Sequence, residues 1–180
     1  MNRSVDSARA FLGAKAGRMP SIGFRPAGEN DLEFLGTLYA STRSEELAPV
    51  PWSEEQKQAF LAQQFSLQHR YYRQTYPAAD YLLVLHADEA IGRIYIAREE
   101  AAINLIDIAL LPTRRGRGIG TALLGELIDE ADRDARAIVL HVEPNNPARR
   151  LYARFGFRLV ENRGVYEFLR REPRVAVSSG

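Results

Sequence analysis

A strand, a helix and a second strand follow one another between residues 103 and 142, and this unit constrains the fold more than any other part of the chain. The runs INLIDIALL and AIVLHV have the apolar, β-branched composition of buried strands. Between them, IGTALLGELIDEADRDA repeats its apolar residues at helical spacing. A helical crossover normally makes the two strands that it joins parallel. We therefore expect a sheet with at least one parallel pair.

The rest of the chain supplies strands joined by short turns, together with further helices. Consecutive strands connected by a few polar residues are most simply antiparallel. The expected fold class is α/β (α+β), with a mixed, mostly antiparallel central sheet of about seven strands and helices on both faces. The predicted strands are IGFRP, DYLLVLHA, AIGRIYIAR, INLIDIALL, AIVLHV, FRLVEN and GVYEFLR. The predicted helices are LEFLGTLYASTR, one beginning near Ser53, IGTALLGELIDEADRDA and PARRLYARFG.

The length of 180 residues suits one domain whose core needs neither disulfides nor a structural metal. We assign this domain to residues 21–171. Residues 1–20 are rich in Ala, Gly, Ser and Arg and are expected to form a flexible N-terminal extension. Residues 172–180 are expected to form a flexible tail.

Composition excludes several kinds of chemistry. The chain has no cysteine, which rules out disulfides, thiolate catalysis and cysteine-bound zinc. Its histidines, His69, His86 and His141, lack metal-ligand spacing, and we predict no metal site. The formal net charge is +1 and no apolar run is long enough to span a bilayer, so neither nucleic acid nor a membrane is expected as a partner. A cytoplasmic enzyme or binding protein is the default interpretation.

The sequence RRGRGIG, residues 114–120, opens the crossover helix and is the main candidate for a binding site. Glycines let the backbone close around a ligand, and the unpaired amides of a helix N-terminus bind phosphate. The arginines add charge-assisted hydrogen bonds. The turn therefore suits a pyrophosphate, although a plain arginine-rich surface turn has the same composition.

Two well-known phosphate loops fail to match this turn. No lysine follows its glycines, which argues against a P-loop hydrolase. A dinucleotide-binding fold needs glycine where Thr121 stands, and its loop follows the strand directly, whereas Pro112 to Arg115 intervene here. Glu143 does end the next strand, as the ribose-binding acid of that fold would, so a dinucleotide site remains an alternative.

Two segments resemble the GNAT N-acetyltransferase superfamily. RGRGIG, residues 115–120, fits that family's Q/R-x-x-G-x-G/A pattern. NNPARRLYARFGF, residues 145–157, resembles its N-x-x-A-x-x-L-Y-x-x-x-G-F segment. The close resemblance covers residues 103–168, and a looser one reaches back to Ile22. It implies a sheet that splays apart between the fourth and fifth strands, and acetyl-CoA as the cosubstrate.

The resemblance also implies which residues bind acetyl-CoA. The backbone of the glycine-rich turn would hold the pyrophosphate, and the end of the fourth strand would pair with the pantetheine arm. Asn145 lies where the family often has an asparagine that contacts the cofactor. The implied cofactor-binding residues are Ile108, Ala109, Leu110, Leu111, Arg114, Arg115, Gly116, Arg117, Gly118, Ile119, Gly120, Thr121, Asn145, Ala148 and Tyr152.

The catalytic residues are only partly indicated. Tyr152 matches the family's general acid, which protonates the CoA thiolate as it leaves. An acceptor ammonium must lose a proton before it attacks, and Asp107 and Glu143 are both candidates for the base. Residues 104–106 lack the glutamate that some relatives have, which favours deprotonation through water. His141 is expected to be a packed or sheet-face residue.

The predicted acceptor is a primary amine of a small molecule or a protein, and a homodimer is a further expectation. Acids and aromatics between the first two strands are candidates for attracting and enclosing an ammonium. Both types also have ordinary roles at helix starts and in cores. A non-catalytic acyl-CoA sensor, which would not need Tyr152, and an RNA-binding protein, for which no motif is present, stay open. The acceptor-side candidates are Glu45, Glu46, Glu54, Glu55, Trp52, Tyr71 and Tyr72.

Overall fold

The computed structural model describes residues 21–174; the predicted extension at residues 1–20 and the end of the tail at 175–180 lie outside the described residues. Within this range the strands are β1 (Ile22–Pro26), β2 (Asp80–His86), β3 (Glu89–Arg98), β4 (Ala102–Leu110), β5 (Ala137–Val142), β6 (Arg158–Asn162) and β7 (Glu167–Arg171). The helices are α1 (Leu32–Leu47), α2 (Glu54–Thr75), α3 (Ile119–Arg133) and α4 (Arg149–Arg154), with short 3-10 turns at Glu29–Asp31 and Pro112–Arg114.

The seven strands form one sheet in the order β1-β2-β3-β4-β5-β7-β6. The pairing is antiparallel throughout except between β4 and β5, the two strands joined by α3. The predicted fold class, a mixed and mostly antiparallel sheet with a helical crossover, is therefore confirmed.

Each face of the sheet packs against two of these helices. On one face, α3 and α4 enclose an apolar cluster with β2 to β5 and β7, in which Leu127 and Ile138 have no exposed surface. On the other face, α1 and α2 pack around Leu35, Phe65 and Leu83. The apolar residues of each helix recur at helical spacing, so one side of each helix faces the sheet.

Side-chain hydrogen bonds fix the starts of α1 and α2. Ser53 and Gln56 form a reciprocal capping box at α2, with N···O distances of 2.9 and 3.2 Å, as the sequence around Ser53 predicts. Asp31, just before α1, instead accepts hydrogen bonds from Arg25 and from the amide of Gly28. This acid therefore ties the helix start to β1.

An extra residue in β4 decides which face its second half presents. Tyr95 of β3 pairs with Asp107, but the next residue, Ile96, pairs with Leu105, so Ile106 is a bulge. Since side chains alternate along a strand, one extra residue moves all those that follow to the opposite face. Asp107 consequently lies on the face covered by α1 and α2. The β4 residues that pack into the α3 cluster are Ile103 and Leu105 before the bulge, and Ile108 and Leu110 after it.

The parallel strands β4 and β5 pair over only three residue pairs, from Ala102 with Ala137 to Asn104 with Val139. Beyond these pairs, β4 continues beside β3 alone, and β5 continues beside β7 alone. The strands therefore separate, as the family resemblance implies. The edge of β4 that faces this cleft has backbone groups that the sheet does not use.

Candidate functional site

The glycine-rich turn connects the end of β4 to α3, beside the cleft between β4 and β5. Gly116 and Gly118 have φ values of 69° and 79°, in the left-handed region that favours glycine. Gly118 is the N-cap of α3 and has no side chain to cap it. The amides of Gly118, Ile119 and Gly120 have no hydrogen-bond acceptor within residues 21–174. The turn therefore presents unpaired N–H groups at the positive end of a helix.

Gly120 is a glycine that the fold itself does not require. Its backbone angle is an ordinary one, and a Cβ built on it would meet no atom within 4 Å. Neither backbone strain nor internal packing therefore requires glycine at this position. A side chain here would fill space next to the exposed helix amides, where a phosphate would approach the backbone. This position fits the predicted pyrophosphate cradle.

The three arginines of the turn are held differently. The Arg115 Nε donates to the carbonyl of Leu110 at 2.9 Å, and its Nη2 lies 3.4 Å from Ser41 Oγ. Arg114 lies 3.7 Å from Glu89. Arg117 is exposed and has no ion pair within residues 21–174. Arg115 thus fixes the turn to β4 and α1, while Arg117 is the cation that remains available to an anion.

Asp107 has one bound and one free carboxylate oxygen. Its Oδ2 accepts hydrogen bonds from Arg93 Nη2 at 2.7 Å and from the Tyr72 hydroxyl at 3.4 Å. Its Oδ1 has no hydrogen-bond partner within residues 21–174 and retains accessible surface. The carboxylate is therefore fixed on one side and open on the other, as a group that receives a cation needs to be.

Tyr152 lies on α4, where 6% of its surface is exposed and its ring is 5.6 Å from that of Phe157. Burial raises the pKa of Tyr152 to about 12, and the negative charge of Asp107 contributes to the same shift. The hydroxyl is therefore protonated at neutral pH and lies within electrostatic reach of Asp107. The packing role that an aromatic on a short helix ordinarily has is also present, since the ring belongs to the α3 cluster.

Glu143, the second candidate for the base, is occupied by an arginine. Its two oxygens accept from Arg43 of α1 at 2.6 and 3.1 Å, and Arg43 also bonds to Glu46. These acids raise the pKa of the Arg43 guanidinium, and the hydrogen bonds that Arg43 donates to Glu143 contribute most. A bidentate pair fixes both carboxylate oxygens. Of the two candidates, Asp107 is thus the acid that has a free oxygen.

The other predicted cofactor residues lie at the end of β4, in the loop after β5 and at the starts of α3 and α4. Ile108, Ala109, Leu110 and Leu111 follow one another at the end of β4. Asn145 is exposed in the loop after β5, where its neighbour Asn146 accepts a hydrogen bond from the Ala148 amide at 2.9 Å. Ala148 is half-buried at the start of α4, and Thr121 is exposed in the first turn of α3.

The acceptor-side candidates are distributed between the site and the surface. Tyr72 is half-buried and contacts Asp107. Trp52 and Tyr71 are exposed, and Trp52 packs edge-on against Phe60. Among the acids, Glu46 pairs with Arg43 and Glu54 lies 3.6 Å from Lys57, which are ordinary surface roles. Tyr72 alone among these candidates contacts one of the predicted catalytic residues.

Sequence reasoning missed Arg93 and Gln68. Arg93 of β3 has 3% of its side chain exposed and donates to both Asp107 and Gln68, the latter at 2.9 Å. Each left a signal in the sequence. Arg93 is a charged residue in the middle of the apolar strand AIGRIYIAR, and Gln68 interrupts the apolar stripe of α2. The hydrogen bond between Arg93 and Gln68 explains why each of them interrupts an apolar pattern.

No helix in residues 21–174 combines the length and the apolarity needed to cross a membrane. In the same residues, no group of three or more His, Asp and Glu side chains is arranged to hold a metal ion.

Comparison with known proteins places this geometry among acetyltransferases. Residues 39–157 match the model of the acetyltransferase (GNAT) family. Over 64 residues the chain is 41% identical to the [ribosomal protein bS18]-alanine N-acetyltransferase of Haemophilus influenzae. That match covers 35% of this chain and 44% of the relative, so it spans less than half of the length of that enzyme.

Solved structures share the fold. The PaiA N-acetyltransferase of Thermoplasma acidophilum, in complex with coenzyme A, has a TM-score of 0.63 at 21% identity and covers 84% of this chain and 99% of its own. Arabidopsis thaliana Naa50, in complex with the bisubstrate analogue CoA-Ac-MVNAL, has a TM-score of 0.53 at 20% identity, with the same coverage. At these identities the likeness supports the fold alone.

Proposed function

The chain belongs to the acetyltransferase (GNAT) family, and we propose that it acetylates a primary amine held at Asp107, with Tyr152 as the general acid. The family match confirms the superfamily predicted from the sequence, together with its enzyme class, N-acetyltransferase, and its cosubstrate, acetyl-CoA. The amine and the residue roles are the proposed part.

The residues of the cleft fit acetyl-CoA, which when bound supplies the thioester whose acetyl group is transferred. The amides of Gly118, Ile119 and Gly120 would hold the pyrophosphate, with Arg117 adding positive charge. The free edge of β4 from Ile108 to Leu110 would pair with the amides of the pantetheine arm. These contacts use helix amides without partners and a strand edge that no other strand pairs, apart from the carbonyl of Leu110, which accepts from Arg115.

Asp107 and Tyr152 divide the proton chemistry between them. The free Oδ1 of Asp107 receives the acceptor ammonium and takes up its proton, directly or through a water molecule, which leaves a nucleophilic nitrogen. As that nitrogen forms its bond to the acetyl carbon, the carbon–sulfur bond breaks, and the Tyr152 hydroxyl gives its proton to the sulfur. The new amide nitrogen loses its remaining extra proton to solvent, Asp107 returns its proton to solvent, and Tyr152 regains one from solvent. Overall, an ammonium and a thioester become an amide and a thiol, with the release of one proton.

One observation carries this assignment: Asp107 keeps an open carboxylate oxygen within electrostatic reach of the protonated Tyr152. The bulge at Ile106 turns Asp107 to the α1–α2 face, and the separation of β4 from β5 opens the sheet beside it. A base and an acid on either side of a reacting centre are what acyl transfer to an amine needs.

A protein or peptide N-terminal amine is the acceptor that we propose to test first. The Haemophilus influenzae relative is an N-acetyltransferase of an alanine of a ribosomal protein, and the analogue bound to Naa50 carries the peptide MVNAL. A small-molecule amine is the alternative acceptor. We infer that the enzyme acts in the cytoplasm, because a chain without cysteine contains no disulfide and is compatible with a reducing compartment.

The test offers acetyl-CoA and three acceptors to the purified chain: a peptide that begins with alanine, an N-terminally blocked peptide that contains lysine, and spermidine. Thiol release gives the rate, and mass spectrometry locates the acetyl group. We expect the alanine peptide to be acetylated at its N-terminus. A chain that binds acetyl-CoA but acetylates none of the three would contradict the transferase proposal and favour the acyl-CoA sensor.

The acid role of Tyr152 is tested with Tyr152→Phe, which keeps the packed ring and removes the proton. We expect kcat to fall about 100-fold, since a positioned acid contributes roughly that much, while calorimetry shows unchanged acetyl-CoA affinity. Tyr76→Phe is the control, because Tyr76 lies at the end of α2 and, within residues 21–174, no hydrogen bond or ring contact joins its side chain to Asp107 or Tyr152. Equal turnover in the two variants would remove Tyr152 from the acid role.

A further inference from the structure

A charged side chain is buried beneath the acceptor site. Arg93 lies in the centre of β3 under α2, with 3% of its side chain exposed. Its Nη2 donates to Asp107 and to Gln68, its guanidinium lies 5.1 Å from the centre of the Tyr95 ring, and its Nε has no hydrogen-bond partner within residues 21–174. The group is therefore desolvated and incompletely satisfied.

Stability alone does not account for this arrangement. Taking a guanidinium out of water is costly, and a buried ion pair is often no more stabilising than apolar residues of the same size. The cross-strand neighbour of Arg93 is Leu83, which belongs to the buried cluster under α1 and α2, and the Tyr95 ring lies beside the guanidinium, so an apolar residue would fit the surroundings of Arg93. What the arginine adds is a fixed direction for the carboxylate of Asp107.

We propose that Arg93, itself held by Gln68, is a positioning residue that fixes Asp107 with its free oxygen toward the acceptor amine. Arg93 occupies Oδ2, the same oxygen that Tyr72 approaches, and so leaves Oδ1 as the open acceptor. A carboxylate free to rotate would present either oxygen, in several orientations, and would pair less often with an incoming ammonium. This inference rests on the role proposed for Asp107.

The test measures acetyl transfer to the alanine peptide by wild type, Arg93→Met and Arg93→Lys. We expect Arg93→Met to raise KM for the peptide about tenfold and to lower kcat, with acetyl-CoA affinity unchanged within about twofold. Lysine keeps the charge and one hydrogen bond but not the planar fork, so Arg93→Lys should recover part of the loss. Gln68→Met, which leaves Arg93 in place, should change KM and kcat in the same direction by a smaller amount. This variant provides the test if Arg93→Met does not fold.

Arg171→Met is the matched control. Arg171 is also buried, with 4% of its side chain exposed, and pairs with Asp132 at 2.7 Å, on the face covered by α3 rather than beside Asp107. Both arginine variants should lose stability, but Arg171→Met should keep the wild-type KM for the peptide. Equal effects of the two variants on KM would overturn the positioning role.

A crystal structure of Arg93→Met gives a readout that does not depend on activity. We expect the Asp107 carboxylate to adopt more than one orientation, or to turn its free oxygen away from the cleft. An unchanged Asp107 would overturn the inference even if the proposed amine acceptor is wrong. If the wild type binds acetyl-CoA but transfers to no amine, the proposed function fails, and the crystal structure still decides the role of Arg93.

Discussion

The two ends of the cleft are built in different ways. At the proposed phosphate end, consecutive residues from Gly116 to Gly120 shape the turn, and its backbone amides are the proposed ligands. At the acceptor end, side chains from three other elements, α2, β3 and α4, lie around the carboxylate of Asp107, and their positions in the chain span more than eighty residues. The phosphate end is made of residues that are adjacent in the chain, whereas the acceptor end forms only when the sheet and helices pack together. A substitution at the first should therefore affect the cofactor, and one at the second the acceptor.

Gly120→Trp tests the phosphate end and has the largest expected effect. The indole would fill the space beside the α3 amides, and acetyl-CoA affinity should fall roughly a thousandfold, equivalent to about 4 kcal/mol. Because a Cβ at Gly120 meets no atom within 4 Å, the fold should survive, as thermal unfolding would show. Gly28→Trp, at an exposed glycine with an ordinary φ of −118°, is the control and should bind normally. Normal binding by folded Gly120→Trp would place the pyrophosphate elsewhere.

Asp107→Asn tests the acceptor end. The amide keeps the shape of the carboxylate and an oxygen for Arg93 but loses the charge and the basic oxygen. We expect kcat/KM for the peptide to fall about 100-fold, with acetyl-CoA affinity unchanged. Glu143→Gln is the comparison, since the Glu143 oxygens are already bound to Arg43, and its kcat/KM should change less than about fivefold. A larger loss in Glu143→Gln than in Asp107→Asn would reverse the assignment of the base.

Asp132→Asn sharpens the comparison by weakening an ion pair outside the cleft. The hydrogen bond from Arg171 holds the pKa of Asp132 below its usual value, with a smaller contribution from the Arg174 amide. A carboxyl whose pKa is lowered on folding stabilises the protein above its unfolded-state pKa, and this stabilisation is lost as pH falls through the folded value. We expect the variant to be about 1 to 2 kcal/mol less stable at pH 7.

The measurement for Asp132→Asn is urea unfolding at a series of pH values. The difference in unfolding free energy from wild type should shrink below about pH 4, where free aspartate becomes protonated. Turnover of the folded variant at pH 7 should equal that of wild type. A pH-independent difference would show that the pair acts through packing, and lost turnover would show that this end of the sheet communicates with the cleft.

Much of the fold and part of the site follow from local patterns. The crossover predicts the parallel pair β4–β5, and Ser53 predicts the start of α2, because both depend on residues close together in the chain. The glycine-rich turn and Tyr152 also lie in short segments with recognisable spacing. From the sequence, Asp107 and Glu143 are equal candidates for the general base, since alternation along a strand does not reveal which acid has a partner.

Three features needed the tertiary structure. The bulge at Ile106 directs Asp107 to the α1–α2 face, and only the pairing with β3 reveals it. Arg43 reaches Glu143 across 100 positions of the chain, and Arg93 meets Gln68 across 25. A polar residue within an apolar pattern can be recognised from the sequence. The residue that bonds to it cannot, because packing between distant elements decides which side chains come together.

The sequence by itself determined the class of the sheet and identified the glycine-rich turn and Tyr152 as candidates for the site. Backbone geometry and periodicity act over a few residues, and they can be recognised in the chain before it folds. The tertiary structure alone decided which carboxylate is open to an amine and which is held by an arginine. That choice depends on desolvation and on hydrogen bonds between side chains that come together only when the sheet and its helices pack.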